Sequence, residues 1–224
     1  MNGDRILDLV ATSAFDSFSI QVQLGNGDGT FSPGQVLAEN FLNQNLSTAL
    51  FDADEDGKTD VLVTDSFGAF WFYHGYGDGT FSTNPNVFGT GDVPYGIGVA
   101  DVNGDGHLDV ITSGVYVDPP PPYGAPAGNL MSILLGDGNG NFSPAKVYRG
   151  DLSAFSLAVA DFNGDGHSDV VTANQDSDSA IIFLNDGKGG FGDPQGEYIG
   201  LYRISGIWAC QFTNLWIDFC RCEW

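Results

Sequence analysis

Three short segments of the chain carry oxygen-bearing side chains at the same alternating positions. Each is nine residues long, and Asp or Asn stands at its first, third, fifth and ninth positions, as in Asp101-Val-Asn-Gly-Asp-Gly-His-Leu-Asp109. Carboxylate and amide oxygens suit a hard cation such as Ca²⁺, which takes roughly six to eight oxygen ligands. The pattern therefore predicts loops that bind calcium, about three ions in all.

A loop that curls around an ion turns its odd-numbered positions inward, and position 7 offers its backbone carbonyl. We expect the glycine at position 6 (Gly57, Gly106 and Gly166) to supply a positive φ at the sharp bend. The first loop carries four Asp ligands and should bind most tightly. The predicted ligands are Asp52, Asp54, Asp56, the carbonyl of Lys58 and Asp60; Asp101, Asn103, Asp105, the carbonyl of His107 and Asp109; and Asp161, Asn163, Asp165, the carbonyl of His167 and Asp169.

Two other interpretations use the same residues. A helical calcium loop needs an acidic residue at position 12, but Val63, Thr112 and Thr172 stand there within β-branched runs. Simple Asp-Gly hairpin turns would explain one copy but not three copies with the same acidic positions. A fourth copy at the start of the chain matches only part of a metal site, through Asn2, Asp4 and Asp8.

A second motif, rich in glycine and ending in phenylalanine, alternates with the acidic loops. Its phenylalanines are Phe31, Phe81, Phe142 and Phe191, which are 50, 61 and 49 residues apart. The long interval contains the proline-rich segment 117–126, which we expect to be an exposed loop. The glycine-rich motif itself is typical of a tight turn with an aromatic side chain directed into a core.

The repeat length and the alternation predict an all-β fold, a β-propeller of four-stranded blades of about 50 residues, with four blade-equivalents present. The propeller repeats span 1–195, with units at about 1–46, 47–95, 96–152 and 153–195. Residues 196–224 hold all three cysteines, and we predict a degenerate partial repeat or an aberrant C-terminal tail. Because the chain begins inside a motif, we expect an N-terminally truncated part of a longer chain.

Charge and missing motifs narrow the possible partners and activities. There are 29 acidic and 7 basic residues, a net charge of −22, so we expect no nucleic-acid partner. No apolar run is long enough to predict a membrane span, and no signal peptide is visible. We find no catalytic constellation: His107 and His167 are predicted to point outward, and His74 to be a packed or exposed spacer in a strand.

The paired motifs over residues 2–195, Asp-x-Asn-x-Asp-Gly-x-x-Asp-Val and Gly-Asp-Gly-x-Phe-Ser-Pro, resemble the FG-GAP/VCBS repeat of integrin α-chain propellers and secreted bacterial proteins. The resemblance implies a propeller, commonly seven-bladed, with calcium in hairpin loops, so four units would be a fragment or a small ring. It also implies an extracellular or cell-surface adhesion module that binds a protein or glycan. Alternatives are a propeller hydrolase or lyase, and a purely structural repeat region of a larger secreted protein.

Overall fold

The computed structural model describes residues 1–13, 19–38, 45–115, 129–149, 154–174 and 179–192. Within these residues the chain forms four antiparallel sheets of three or four strands and no helix. In each sheet the hydrogen-bonded neighbours are consecutive along the chain. The predicted all-β fold with four blade-like units is thereby confirmed. No apolar helix of membrane-spanning length occurs in the described part.

The strands are numbered in chain order, sheet by sheet. The first sheet contains β1 (Leu9–Thr12), β2 (Ile20–Gly25) and β3 (Phe31–Ala38). The second contains β4 (Asn45–Phe51), β5 (Asp60–Asp65), β6 (Ala69–Tyr73) and β7 (Asn86–Gly89). The third contains β8 (Val93–Ala100), β9 (Asp109–Val115), β10 (Asn129–Leu134) and β11 (Lys146–Arg149). The fourth contains β12 (Ala154–Ala160), β13 (Asp169–Asn174) and β14 (Ser179–Phe183).

Both sequence motifs lie at the same edge of a sheet. In the third sheet the acidic loop joins β8 to β9, whose Ala100 and Asp109 are paired. The glycine-rich turn follows β10, which runs antiparallel to β9 and so returns to the same edge, where Gly136 and Phe142 form a bridge. The acidic loop and the glycine-rich turn of one sheet are therefore neighbours in space although they are separated along the chain.

The sheets pack face to face, and β5 shows why its middle, Val61 to Val63, is a continuous apolar run. Val61 and Val63 are fully buried against Ile20 and Val22 of the first sheet. Leu62 points to the opposite face and joins a cluster shared with the third sheet. Because successive strand residues face opposite sides, a strand with a sheet on each side favours apolar residues at successive positions.

The phenylalanines of the glycine-rich motif pack between sheets, as the sequence predicted, except in the first copy. Phe81 and Phe191 are buried in two of the three intersheet clusters. The ring of Phe142 meets Phe70 and Phe88 of the second sheet edge-on, at centroid distances of 5.3 and 5.2 Å. Phe31 is about half exposed, at 48%. The proline-rich loop expected at 117–126 and the predicted segment 196–224 lie outside the described residues.

Candidate metal centre

The aspartate at position 9 of each acidic loop is a buried clamp between the two motifs. Asp109 has no exposed surface; its Oδ2 accepts a hydrogen bond from the Val102 N–H at 2.8 Å, and its Oδ1 accepts one from the Gly136 N–H at 2.9 Å. The same pair of bonds joins Asp60 to Ala53 and Gly75, and Asp169 to Phe162 and Asn185. Each carboxylate oxygen has a second lone pair, so a clamp residue can still serve as a metal ligand.

The clamp is also present in the partial copy at the start of the chain. Asp8 accepts hydrogen bonds from the N–H groups of Gly25 and Asn2 at 2.9 and 3.3 Å. Burial acts to raise the pKa of Asp8, but these bonds and the nearby N-terminal ammonium hold it below its ordinary value. The side chains of Asn2 and Asp4 are hydrogen-bonded at 2.9 Å, so the structure brings the three predicted partial-site residues together.

Side chains at positions 1 and 3 turn into the acidic loops. In the second loop the Asp101 carboxylate accepts hydrogen bonds from the N–H groups of Gly104 and Gly106, and Asn103 Oδ1 accepts one from the Asp105 N–H. The same bonds recur in the third loop, among Asp161, Asn163, Gly164, Asp165 and Gly166. Position 6 has a positive φ in all three loops, +85° at Gly57, +93° at Gly106 and +90° at Gly166, as predicted.

The first loop contains acidic clusters that could hold a metal ion. Asp52, Asp54 and Asp56 each offer a carboxylate oxygen, and these atoms lie within 4.8 Å of one another. Calcium–oxygen bonds of roughly 2.3–2.6 Å place ligand oxygens within about 5 Å of each other, so the spacing fits such an ion. Burial, and then the charge of Asp54, raises the pKa of Asp60 above its ordinary value despite its two backbone hydrogen bonds.

Position 7 side chains lie over the glycine-rich turn of their own sheet. The imidazoles of His107 and His167 are so close to Gly138 and Gly187 that a Cβ at either glycine would collide with the ring. Both glycines also have positive φ, +69° and +72°. The two histidines are at least partly exposed, and their rings cover the turn rather than standing free of it. Lys58, in the first loop, pairs with Asp56 at 2.7 Å.

Contacts between loops join neighbouring sheets. The Gly140 N–H of the third sheet donates to the Ala53 carbonyl of the second at 3.2 Å. The Glu55 carboxylate lies 2.6 Å from His107 Nδ1, and this hydrogen bond is the main reason the pKa of that histidine is raised. Glu55 has a φ of +58°, at the position where the other loops have glycine. Hydrogen bonds therefore join the acidic edges of the second and third sheets.

His74 is a candidate ligand that sequence reasoning missed. Its Nδ1 lies 2.7 Å from Asp54 Oδ2 and 3.5 Å from Asp60 Oδ1, and its Nε2 lies 3.8 Å from Asp56 Oδ2. The signal was present in the repeat alignment, because the other three units have leucine at this place, Leu24, Leu135 and Leu184. The first complete loop therefore differs from the other two in its donor atoms.

Comparison with protein families agrees with this repeat structure. A family model described as an FG-GAP-like repeat matches residues 1–63, 52–112, 123–172 and 161–215. Each match contains at least one complete acidic loop, and together the matches cover most of the chain. No curated protein matches the chain.

Proposed function

The chain belongs to the family of FG-GAP-like repeat proteins, and from that premise we propose that it is a calcium-binding β-propeller module that acts outside the cell by binding a protein or a glycan. The observation that carries the proposal is the cluster of the first loop, where Asp52, Asp54 and Asp56 offer oxygens within 4.8 Å of one another. The other two loops repeat its hydrogen bond from the position 6 N–H to the position 1 carboxylate and its positive φ at position 6.

The donor set supports calcium as the ion. In the second and third loops the candidate side-chain ligands are carboxylate or amide oxygens, the donors that calcium prefers. Burial, together with the charges of Asp105 and Asp101, raises the pKa of Asp109 above its ordinary value, although two backbone hydrogen bonds oppose the rise. A bound cation would relieve this repulsion. The predicted ligands of the three loops, including the position 7 carbonyls, would hold the ions.

The binding role rests on the family and on the chemistry of the exposed loops. The family resemblance implies adhesion modules at the cell surface. Two exposed aromatic side chains stand at opposite edges of the second sheet: Phe67, 72% exposed, in the turn after β5, and Tyr76, 51% exposed, in the glycine-rich turn. Aromatic rings of this kind supply contact area for protein or sugar surfaces at low entropic cost.

Thermal unfolding with and without calcium tests the metal site. An ion that binds only the folded state raises its stability by RT ln(1 + [L]/Kd), so calcium at ten millimolar should raise the Tm by several degrees over the EDTA sample. The double variant Asp105→Ala, Asp165→Ala should lose the part of this shift that the second and third loops contribute. Asp137→Ala, which removes an exposed carboxylate from the glycine-rich turn of the third sheet, is the matched control and should retain the shift.

If the calcium and EDTA samples of the wild type unfold at the same temperature, the metal assignment is wrong. The binding role has a separate readout, an array of extracellular glycans and proteins probed with the calcium-loaded and EDTA-treated chain. We expect binding that EDTA abolishes. Binding to no arrayed glycan or protein would count against an adhesion module.

A further inference from the structure

The acidic loop of the second sheet has a nitrogen donor that the other complete loops lack. We propose that Asp54, Asp60 and His74 form a mixed nitrogen–oxygen site that prefers a first-row transition-metal ion of the zinc class, so that Ca²⁺ fills this loop only when such an ion is absent. This inference rests on the proposed function, because it takes the loop to be an ion site. It adds the class of ion that this one site prefers.

The three donors come from three separate parts of the sheet and meet at one point. Asp54 lies in the loop, Asp60 begins β5, and His74 follows β6. One ligand atom from each lies within 4.8 Å of the other two. The shortest approach is the 2.7 Å between His74 Nδ1 and Asp54 Oδ2. Zinc bonds of roughly 2.0–2.2 Å to nitrogen and oxygen require ligand atoms about 3–4 Å apart, and the ligand atoms of this cluster, within 4.8 Å of one another, are close to that spacing.

The backbone holds His74 in place. Its N–H donates to Ser82 Oγ at 3.1 Å, and its carbonyl accepts from the Ser82 N–H at 2.8 Å. Leu135 has the same two bonds with Ser143, at 2.9 and 2.8 Å. The repeat therefore fixes this backbone position identically in both sheets, and the second and third sheets differ there in the side chain. A leucine cannot bind a metal, whereas an imidazole can.

Asp60 is a buried ligand whose orientation is fixed by hydrogen bonds. Its side chain has no exposed surface, and both of its oxygens are held by backbone N–H groups, Gly75 at 2.7 Å and Ala53 at 2.9 Å. The imidazole is 31% exposed, and its ring meets that of Tyr76 edge-on at a centroid distance of 5.3 Å. Lys58 pairs with Asp56, whose Oδ2 lies 3.8 Å from His74 Nε2. The carboxylates closest to the imidazole are therefore those of Asp54 and Asp60.

Ligand chemistry decides the ion class. Imidazole is a common ligand of zinc, copper, nickel and iron, whereas calcium is bound by oxygen donors alone. Adding one imidazole to an acidic loop raises its affinity for transition ions and contributes nothing to calcium binding. The loops 101–109 and 161–169, with leucine beside them, keep an oxygen-only donor set. Selectivity should therefore differ between loops of one chain.

The experiment titrates the full chain with Zn²⁺ by calorimetry in millimolar Ca²⁺, which occupies the oxygen-only loops. We expect one Zn²⁺ site that His74→Leu, the residue of the other repeats, weakens at least about tenfold. His74→Gln is a second variant that removes the imidazole but keeps a polar side chain. Co²⁺ is the spectroscopic probe, and its visible absorption should change on loss of the nitrogen ligand.

Cys210, Cys220 and Cys222 could also bind Zn²⁺, so each titration is repeated with all three replaced by serine. The loss caused by His74→Leu should be the same in both backgrounds. Zn²⁺ affinity and Co²⁺ spectra unchanged by both His74 variants would overturn the inference, as would displacement of Zn²⁺ by an equal concentration of Ca²⁺. The proposed function fails separately, if calcium does not stabilise the chain through Asp105 and Asp165.

Discussion

The carboxylate of Asp109 accepts a hydrogen bond from the backbone N–H of Gly136, 27 residues further along the chain, at 2.9 Å. This bond ties the acidic loop of the third sheet to its glycine-rich turn, and counterparts occur in the other three sheets. The acidic residue at position 9 therefore has a structural role that does not depend on an ion. The residue at position 5, such as the exposed Asp105, does not form this clamp.

Replacing the clamp should destabilise the fold even without metal. In Asp109→Ala the N–H groups of Gly136 and Val102 lose their acceptor in a buried place. An unsatisfied buried donor costs about 1–3 kcal/mol, so we expect a loss of roughly 2–5 kcal/mol in the free energy of unfolding. Urea unfolding in EDTA measures it.

Asp105→Ala is the matched control for the clamp. Its carboxylate is exposed and accepts the His107 N–H at 2.9 Å within the loop. In EDTA we expect its cost to stay below about 1 kcal/mol. Equal losses for the two variants in EDTA would show that position 9 is not a special clamp.

The positive φ at loop position 6 gives a second prediction. Gly106 has a φ of +93°, and a Cβ there would meet no atom within 4 Å, so Gly106→Ala tests the backbone conformation alone. We expect a loss of about 1–2 kcal/mol in unfolding free energy, measured by urea unfolding in EDTA. Gly192→Ala is the control, because it has equally open space and no positive φ. A neutral Gly106→Ala would contradict the assigned conformation.

Asp92 gives a pH prediction remote from the metal site. It lies directly before β8, is 5% exposed, and has no hydrogen-bond partner for either carboxylate oxygen among the described residues. Burial raises its pKa to about 7, although the nearby hydroxyls of Thr90 and Thr112, which lie outside hydrogen-bond geometry with the carboxylate, oppose the rise. The folded state therefore favours the protonated acid. The stability that protonated Asp92 contributes is complete below the pKa this residue has in the unfolded chain, and it is lost as pH rises through about 7.

Asp92→Asn should remove this pH dependence. Each pKa unit corresponds to about 1.4 kcal/mol, so between pH 5 and pH 8 the wild type should lose roughly 2–3 kcal/mol more stability than the variant. Urea unfolding in EDTA at both pH values measures the difference. Asp28→Asn is the control, since Asp28 is exposed and hydrogen bonds from Thr30 lower its pKa. Parallel pH profiles for wild type and Asp92→Asn would contradict the prediction.

The amino-acid sequence by itself determined the repeat, the all-β class and the conformation of loop position 6. These features are local. Alternating apolar residues define a strand within a few residues, and the bend at Gly57 depends on the glycine itself. The same holds for the oxygen-bearing side chains at positions 1 and 3, which accept hydrogen bonds from backbone N–H groups of their own loop, as Asp101 does from Gly106.

The tertiary structure alone decided which distant groups meet at the acidic edge. Antiparallel pairing brings His74 close to Asp54 and Gly136 close to Asp109. Stacking of the sheets places Glu55 beside His107. Each contact joins residues separated by two strands or by a whole repeat, so its existence depends on strand register and sheet packing. A sequence read one loop at a time contains no distance between such groups, and for that reason His74 looked like a spacer.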